Sequence, residues 1–464
     1  MMAQNKRVLY SFSLLVILSL FFTFSIGMAQ AENISFEKAV KLGLENNSEI
    51  QDIKKNIENL KRNRKIIKTN NDWKIDLGGN YSHRFDESIS TSDENDSSIS
   101  ITADKSFKSG LSLNPTVRID EDEERLDISL TQPIYPIDNS LEDNLYNNKK
   151  ELVKTRAKLK SLKSTKILSW VQSYLNIVRM EENKEIYAKS VIKAKDNLEK
   201  VTKKAEIGEA GDQQLLTAEY SLKDAKYKLK KQKINIREEK NSLKNNLGIN
   251  KDKKIVFNSD NQFIEELRKK ANSLTAEYMK EENLIKIIEK NNNDLQNNKI
   301  NREILKRELE DLKKEDNISI KLSGEYDTIS EDATATVDFS YNLYDSGNHD
   351  IDLESKKSAI ADNRDKYKDI YKKLKLDLES HLNRLDLDKE KLSKEKLNYQ
   401  RSQNKLEITK EKYDIGAVDY LEYQDSWIKT KETKVQLKSL KDSILINKLE
   451  FINFISNENI AGGF

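Results

Sequence analysis

The residue types that most often carry catalysis are scarce in this sequence. Cysteine is absent and histidine occurs three times among 464 residues, which excludes thiol nucleophiles, disulfides and cysteine-ligated metals. His83, His349 and His381 are predicted on different elements, so neither a metal site nor a catalytic triad is expected. His381 follows Leu378 by three residues in a helical run, where a packed or surface imidazole is the common case. We therefore expect no enzyme, no catalytic or metal-binding residue and no cofactor.

Charged side chains are abundant instead. Lys and Arg number 81 against 79 Asp and Glu, and charged residues make up 34% of the chain against 36% hydrophobic residues. Ordinary globular domains contain about 45–50% apolar residues. Only three prolines and thirteen glycines occur, so a chain of many tight turns is excluded. This composition predicts long helices whose charges are mostly a solvated surface.

The N-terminal segment 1–31 is predicted to be a signal peptide. Lys6 and Arg7 precede an apolar run from Val8 to about Met28, and Ala29-Gln30-Ala31 matches a cleavage site. The run is nearly long enough to be a membrane anchor, but the cleavage pattern favours export. Without this segment 79 bases face 79 acids, which gives no support for nucleic-acid binding. No later apolar stretch reaches the ~20 residues of a membrane helix.

One pattern occurs twice along the remaining chain. Residues 45–51 resemble 290–296, and 77–81 resemble 322–326, both 245 residues further on. Ile134-Tyr135 then corresponds to Leu343-Tyr344 and Ile207-Gly208 to Ile415-Gly416, at separations of 209 and 208 residues. Duplication of one structural unit is the simplest account, and the shorter later separation indicates an insertion in the first copy. The predicted division is a first repeat at 32–250, a linker at 251–273 and a second repeat at 274–464.

Each copy contains a pair of alternating apolar and polar runs. They predict strands of about ten residues at about 73–86, 125–135, 318–328 and 333–344. Their length and alternation fit the strands of a transmembrane β-barrel, and they fit a half-buried soluble sheet equally well. The insertion at about 87–124 alternates in part, at Leu111, Leu113, Val117 and Ile119, and is either an extracellular flap or an additional hairpin.

A long helical segment follows each strand pair. Each runs for just over seventy residues up to Gly208 or Gly416, which is about 100 Å at 1.5 Å per residue. Apolar residues recur at a spacing of seven, as in Leu145, Leu152 and Leu159, in Leu215, Leu222, Leu229, Ile236 and Leu243, and in Leu378, Leu385, Leu392, Tyr399, Leu406 and Tyr413. Heptad spacing predicts left-handed coiled-coil packing.

Four strands cannot close a barrel, and an open sheet edge is not tolerated in lipid. Several chains must then contribute, and three chains would give 12 strands. The helices attached to each strand pair would continue the wall on one side of the membrane. A hollow barrel joined to a hollow helical cylinder is a conduit.

Several short motifs resemble one family. They are the start Ile34-Ser35-Phe36-Glu37-Lys38-Ala39-Val40 before Glu45-Asn46-Asn47, the segment Tyr344-Asp345-Ser346-Gly347 after the last strand, and the two turns 204–208 and 412–416. On these motifs the chain resembles the TolC-type outer-membrane efflux proteins over essentially the whole mature length. Segment 134–139 departs from the family, which usually has a glycine-containing turn there.

The resemblance implies a fold that is mostly α with β, duplicated as helix–strand–strand–long helix–helix. It implies a homotrimer with a 12-stranded outer-membrane β-barrel continued by a periplasmic α-helical barrel. The implied location is the cell outer membrane, with a large periplasmic part. The implied function is the exit duct of a tripartite efflux or type I secretion system, which works with a periplasmic adaptor (membrane fusion) protein and an inner-membrane transporter. The cargo, drugs or proteins, is not specified by this plan.

Two pairs of residues are predicted at the turns between the long helices. Ile207-Gly208 and Ile415-Gly416 are expected to form periplasmic tips, because glycine just past a helix suits a left-handed turn. A plain helix stop explains the glycines as well. The resemblance adds that these tips contact the adaptor.

The resemblance also places acidic residues at a periplasmic gate. Aligned on Gly416, the positions fall at Glu422 and Asp425, whereas the first copy has Gln214 and Thr217 at the matching places. Residues three apart share one helical face, and three-fold symmetry would form rings of carboxylates that attract cations. The alternative is two acids on a solvated surface, and Asp419 is a nearby rival.

Two other functions fit parts of the pattern. A periplasmic coiled-coil adaptor or chaperone without a membrane channel would share the charge and the heptads, but would not carry strand pairs in both halves. A surface adhesin stalk would show longer, more uniform repeats and an anchor.

Overall fold

A computed structural model describes residues 32–83, 95–120, 123–135, 140–249, 253–258, 261–314 and 318–456. The predicted signal peptide lies outside the described residues. Within them the helices are α1 (Phe36–Asn46), α2 (Ser48–Thr69), α3 (Ser140–Glu206), α4 (Asp212–Asn246), α5 (Gln262–Tyr278), α6 (Leu284–Asn291), α7 (Asn293–Lys314), α8 (Asn348–Asp414) and α9 (Tyr420–Ser456). The strands are β1 (Glu32–Ile34), β2 (Lys74–His83), β3 (Asn95–Ser106), β4 (Ser112–Asp120), β5 (Glu124–Tyr135), β6 (Lys253–Ile255), β7 (Ile318–Asp327) and β8 (Asp332–Tyr341).

One antiparallel sheet of six strands carries the order β2-β3-β4-β5-β7-β8. The four predicted strands are confirmed as β2, β5, β7 and β8, but the total of four is wrong. The insertion contributes the hairpin β3–β4, which pairs with β2 on one side and with β5 on the other. Its alternating apolar residues have the same period as the other strands, which is the physical reason that they join the same sheet. The sheet of one chain therefore has six strands, and the insertion forms a hairpin within it.

The two longest helices leave the sheet in equivalent ways. Helices α3 and α8 contain 67 residues each, about 100 Å of helix, as the spacing of the turns predicted. Each reverses at a short turn into a shorter partner, α4 or α9. Across the described part of the chain, no helix is both long enough and apolar enough to cross a membrane.

The main core lies around the middle of α3, where the end of α4 packs against it. Phe36, Trp170, Tyr174 and Leu247 are each at most 1% exposed, and the Phe36 and Tyr174 rings stack with centroids 4.1 Å apart. Gly43 is required here because a Cβ would lie 2.7 Å from Leu247 Cδ2 and 2.9 Å from Trp170 Cη2. The same core includes Leu445 and Leu449 of α9, so it joins the first repeat to the second.

The duplication is visible in the packing at the start of each copy. The Asn47 side chain accepts a hydrogen bond from Ile50 N–H at 3.2 Å, and the Asn292 side chain accepts one from Leu295 N–H at 2.9 Å. Both asparagines cap a helix immediately after another helix ends, at positions 245 residues apart, as the repeat predicted. Segment 251–273, predicted as a linker, contains β6, which pairs in parallel with β1, and most of α5.

Candidate functional site

The turn between α3 and α4 is built on Gly208, which has a φ of +78°. Glu209 N–H donates to the Lys204 carbonyl at 2.8 Å and Gly208 N–H to the Ala205 carbonyl at 3.0 Å. These two bonds are the Schellman pattern that ends a helix in the left-handed conformation. Ile207 beside it is 70% exposed. An apolar side chain is therefore presented to the surroundings at the end of the helix pair.

The turn between α8 and α9 repeats this geometry. Gly416 has a φ of +74°, Ala417 N–H donates to the Lys412 carbonyl at 2.7 Å, and Gly416 N–H donates to the Tyr413 carbonyl at 2.9 Å. Ile415 is 80% exposed. The left-handed turns predicted at both glycines are confirmed, and contact with an adaptor stays a prediction.

The second turn differs from the first in its side chains. Tyr413, Tyr420 and Tyr423 form an aromatic cluster with ring centroids 5.5–6.4 Å apart. The corresponding residues of the first copy are Ala205, Asp212 and Leu215. Aromatic pairs at such distances stabilise a local arrangement by about 0.5–1.5 kcal/mol beyond burial. The three tyrosine rings thus stabilise the second tip, and the first copy has no aromatic residue at the corresponding positions.

Asp419 caps α9 rather than standing free. Its side chain accepts a hydrogen bond from Glu422 N–H at 2.9 Å and pairs with Lys200 of α3. The hydrogen bond from Lys200, followed by that from the Glu422 N–H, holds the pKa of Asp419 below its ordinary value. This rival to the predicted gate acids has a structural role at the start of α9.

The two predicted gate acids have different surroundings. Asp425 pairs with Lys193 of α3, although its side chain is still 61% exposed. Glu422 is exposed and makes no side-chain ion pair or hydrogen bond with any described residue. Between the two lysines of α3, Asp196 accepts a hydrogen bond from the Gln424 side chain at 3.2 Å. That Glu422 and Asp425 act as gate acids stays a prediction.

Sequence reasoning missed the lysines that face these acids. Lys193 and Lys200 are seven residues apart on α3, so they lie on one face of a coiled-coil helix. Their partners Asp425 and Asp419 belong to the other repeat, more than two hundred residues away. The heptad spacing of the two lysines was the available signal. We call the pairs Lys193–Asp425 and Lys200–Asp419 the tip ladder.

A buried charge network lies further from the tips on the same pair of helices. Asp442 of α9 accepts hydrogen bonds from Arg179 Nε at 2.8 Å and from Arg268 Nη2 at 3.0 Å. Burial raises the pKa of Asp442, and the two arginines oppose that effect. The network joins α3 of the first repeat and α9 of the second repeat through Arg268 of α5, which lies in the segment predicted as a linker.

The sheet has one apolar and one polar face. The strand residues of the apolar face are substantially exposed, at 38–75% for Ile75, Leu77, Tyr81, Ile99, Ile101, Val117, Ile119, Leu130, Leu322, Tyr326, Val337 and Phe339. On the polar face, Arg125 pairs with Asp127 at 2.7 Å and with Asp327 at 2.8 Å. An exposed apolar surface of this extent indicates a site of membrane or protein contact.

His349 and His381 do not form a common site. His349 and His381 lie 32 residues apart on the same helix, α8, so the expectation of different elements is wrong for this pair. His381 packs against Phe451 and Phe454, which is the packed imidazole expected. No group of three His, Asp or Glu residues suited to a metal ion occurs among the residues that the structure describes.

Several solved structures that are similar to this chain are outer-membrane proteins. The Campylobacter jejuni CmeC outer-membrane channel matches with a TM-score of 0.60 at 16% identity, covering 91% of this chain and 86% of that chain. VceC, an outer-membrane protein of Vibrio cholerae, matches with a TM-score of 0.61 at 11% identity and coverages of 90% and 95%. The open state of the Neisseria gonorrhoeae MtrE outer-membrane channel matches with a TM-score of 0.62 at 11% identity and coverages of 91% and 90%.

Sequence comparison adds no closer relative. No protein-family model matches the chain, and no curated protein matches it in sequence. The structural matches extend over about nine tenths of the chain, so they concern the whole architecture rather than one helix pair. The resemblance stated from the sequence is therefore confirmed at the level of the fold: this chain has the TolC-type fold of outer-membrane channels.

Proposed function

We propose that this protein is an outer-membrane channel, the exit duct of a tripartite efflux or type I secretion system. It would pass substrates from the periplasmic side to the exterior. One observation carries the proposal. A single chain joins a sheet with an exposed apolar face to charged helices about 100 Å long, as a duct that crosses a membrane and continues into water requires.

The proposed location is the outer membrane, with the helices in the periplasm. The apolar face of the sheet suits lipid, and strands of nine to twelve residues match the length that spans a bilayer when tilted. In both repeats the sheet is connected to the long helices at the same end of its strands. The helical part then lies on one side of the membrane.

We infer a homotrimer from the resemblance, and the surfaces of a single chain support assembly with further copies. Strands β2 and β8 are the edges of the sheet, and open edges are not tolerated in lipid. Apolar side chains are also exposed on the long helices, at 52–70% for Leu216, Tyr220, Tyr227, Leu387, Leu397 and Ile408. They lie on α4 and α8, the helices that neighbouring copies would bring together.

The proposed partners are a periplasmic adaptor and an inner-membrane transporter. Exposed Ile207 and Ile415 at the two tips are suited to an apolar socket on the adaptor. Glu422 and Asp425 are proposed as the gate acids, and the tip ladder as a set of ion pairs that holds α9 against α3 near the entrance. Each ladder pair is open to solvent on at least its aspartate side and stabilises the contact by about 0–1 kcal/mol, which suits contacts that must separate.

Cell fractionation with heat-modifiable electrophoresis tests the proposal. We expect the protein in outer-membrane fractions as a trimer that dissociates on heating, and discrete conductance steps from the purified trimer in planar bilayers. A protein recovered from the periplasmic fraction without conductance would refute the channel and favour the coiled-coil adaptor or chaperone.

A further inference from the structure

The hairpin β3–β4 is inserted into the sheet rather than attached to its edge. β3 pairs with β2 over ten residue pairs, from Lys74↔Asp104 to His83↔Asn95. β4 pairs with β5 over eight, from Ser112↔Thr131 to Ile119↔Glu124. β2 and β5 are not neighbours. On these sides β2 and β5 are therefore hydrogen-bonded to the hairpin and not to each other.

The apolar face continues across the hairpin, with Lys105 as its one charged residue there. Leu77, Ile101, Val117 and Leu126 are paired in sequence across β2, β3, β4 and β5. Ile99, Ile101, Val117 and Ile119 of the hairpin are 38–54% exposed, a range that includes the 42% and 43% of Leu130 and Leu322. The hairpin therefore presents the same kind of surface as the strands on either side of it.

The opposite face is polar across the same strands. Thr102 and Thr116 stand opposite each other on the hairpin, with their hydroxyl oxygens 3.2 Å apart. They continue a row of paired residues that crosses all six strands: Asp76, Thr102, Thr116, Asp127, Asp327 and Asp332. A water-filled interior requires this polarity at every strand.

This row also gives the tilt of the strands. It lies two residues from the helix-side end of β2 at Lys74 and nine residues from the helix-side end of β8 at Tyr341. In the proposed channel these ends lie at one membrane surface. The helix-side ends of β2 and β8 are therefore staggered by seven residues, about 23 Å along the strands, across five strand spacings of about 24 Å in total. The ratio of these two lengths corresponds to a strand tilt of about 45° from the membrane normal. Barrel strands tilt by about 35–45°.

We propose that the β3–β4 hairpin is part of the membrane wall, with lipid against its apolar face, so that the barrel holds six strands per copy. This inference rests on the proposed function. Three copies of the six-stranded sheet, joined β2 to β8, give eighteen strands. Because barrel diameter grows about linearly with strand number, this lumen is about one and a half times as wide as that of a 12-stranded barrel.

Lipid quenching of single-cysteine variants tests the position of the hairpin. The chain contains no cysteine, so each introduced thiol is the sole labelling site. The apolar positions are Ile101→Cys and Val117→Cys, with Thr102→Cys and Thr116→Cys as matched controls one residue away on the polar face. Leu77→Cys and Val337→Cys are references on strands outside the insertion. Ala103→Cys replaces Ile101→Cys if that change lowers the trimer yield.

Each full-length variant carries an environment-sensitive fluorophore and is reconstituted in phosphatidylcholine vesicles with brominated acyl chains. We expect quenching at residues 101 and 117 within about twofold of that at 77 and 337, and at least about fivefold weaker quenching at 102 and 116. Weak quenching at all hairpin positions beside strong quenching at both references would show a flap and overturn the inference. Equal, strong quenching on both hairpin faces would also overturn it. Weak quenching at the references themselves would instead refute the membrane location in the proposed function.

Discussion

The buried network around Asp442 makes a sharp test of how the two repeats are joined. Asp442 is 7% exposed and accepts hydrogen bonds from Arg179 and Arg268. Asp442→Asn keeps the size of the side chain and one acceptor oxygen, but removes the charge. Both guanidinium groups then lose the carboxylate that offsets their desolvation.

The structure sets the expected magnitude. Removing one member of a buried ion pair costs about 3–5 kcal/mol. The Arg268 side chain is 25% exposed, so it can turn toward water, and Arg179 keeps Glu182 at 2.5 Å. We therefore expect the lower end, about 3 kcal/mol, or about a 150-fold change in the unfolding equilibrium at about 1.36 kcal/mol per tenfold.

Guanidinium unfolding of the detergent-solubilised protein, followed by far-ultraviolet circular dichroism, measures this change. Asp386→Asn is the matched control, because Asp386 is 79% exposed and pairs with Lys389 at 3.3 Å; it should cost less than about 1 kcal/mol. The triple variant Arg179→Met, Arg268→Met and Asp442→Leu should recover most of the loss, since Glu182 keeps its ion pair with Lys438 and no buried charge is left unpaired. Equal stabilities for Asp442→Asn and the control would refute the reasoning.

Three further predictions concern the tips, the gate and one histidine. Gly208→Val with Gly416→Val should abolish transport while trimers remain in the membrane, because valine is strained at φ near +75°. Gly211→Val is the control, since Gly211 has a φ of −88° and a Cβ there meets open space. Unimpaired transport by the double variant would contradict the tip assignment. Glu422→Gln with Asp425→Asn should lower the cation selectivity of the channel, and its block by multivalent cations, in planar bilayers. Two controls accompany it: Glu209→Gln with Glu219→Gln removes the same charge at the first tip, and Lys193→Gln removes only the ion pair of Asp425. An unchanged selectivity of the Glu422 and Asp425 variant would refute the gate. Burial, aided by Arg384, lowers the pKa of His381 in the folded protein. The stability that neutral His381 contributes is therefore fully present above its pKa in the unfolded chain, about 6.5, and is lost as the pH falls toward the lower pKa of the folded state. His381→Phe should flatten that part of the stability–pH curve in the same unfolding assay, and an unaltered slope would show that another group titrates.

The sequence was sufficient for features that depend on local periodicity. The heptads of α3 and α8 and the alternation of β2, β5, β7 and β8 repeat over long stretches, and the glycines at 208 and 416 mark the ends of helices. The alternation alone does not decide the place of the hairpin β3–β4, because Lys105 stands among the apolar positions Ile99 and Ile101 of β3. The tip ladder was missed because Lys193 and Asp425 are 232 residues apart, and no local pattern shows which helices of two repeats pack together.

The two copies share a backbone but divide the charges between them. Both tips have the same pair of hydrogen bonds and nearly equal glycine φ angles, so the turn itself does not distinguish them. The difference lies in side chains, since α3 of the first copy supplies lysines and α9 of the second supplies the facing aspartates. Complementary charges pair the first copy with the second and disfavour pairing of like copies. Duplication thus gives the two helix pairs, and divergence of their charged faces fixes which helices lie side by side near the proposed entrance.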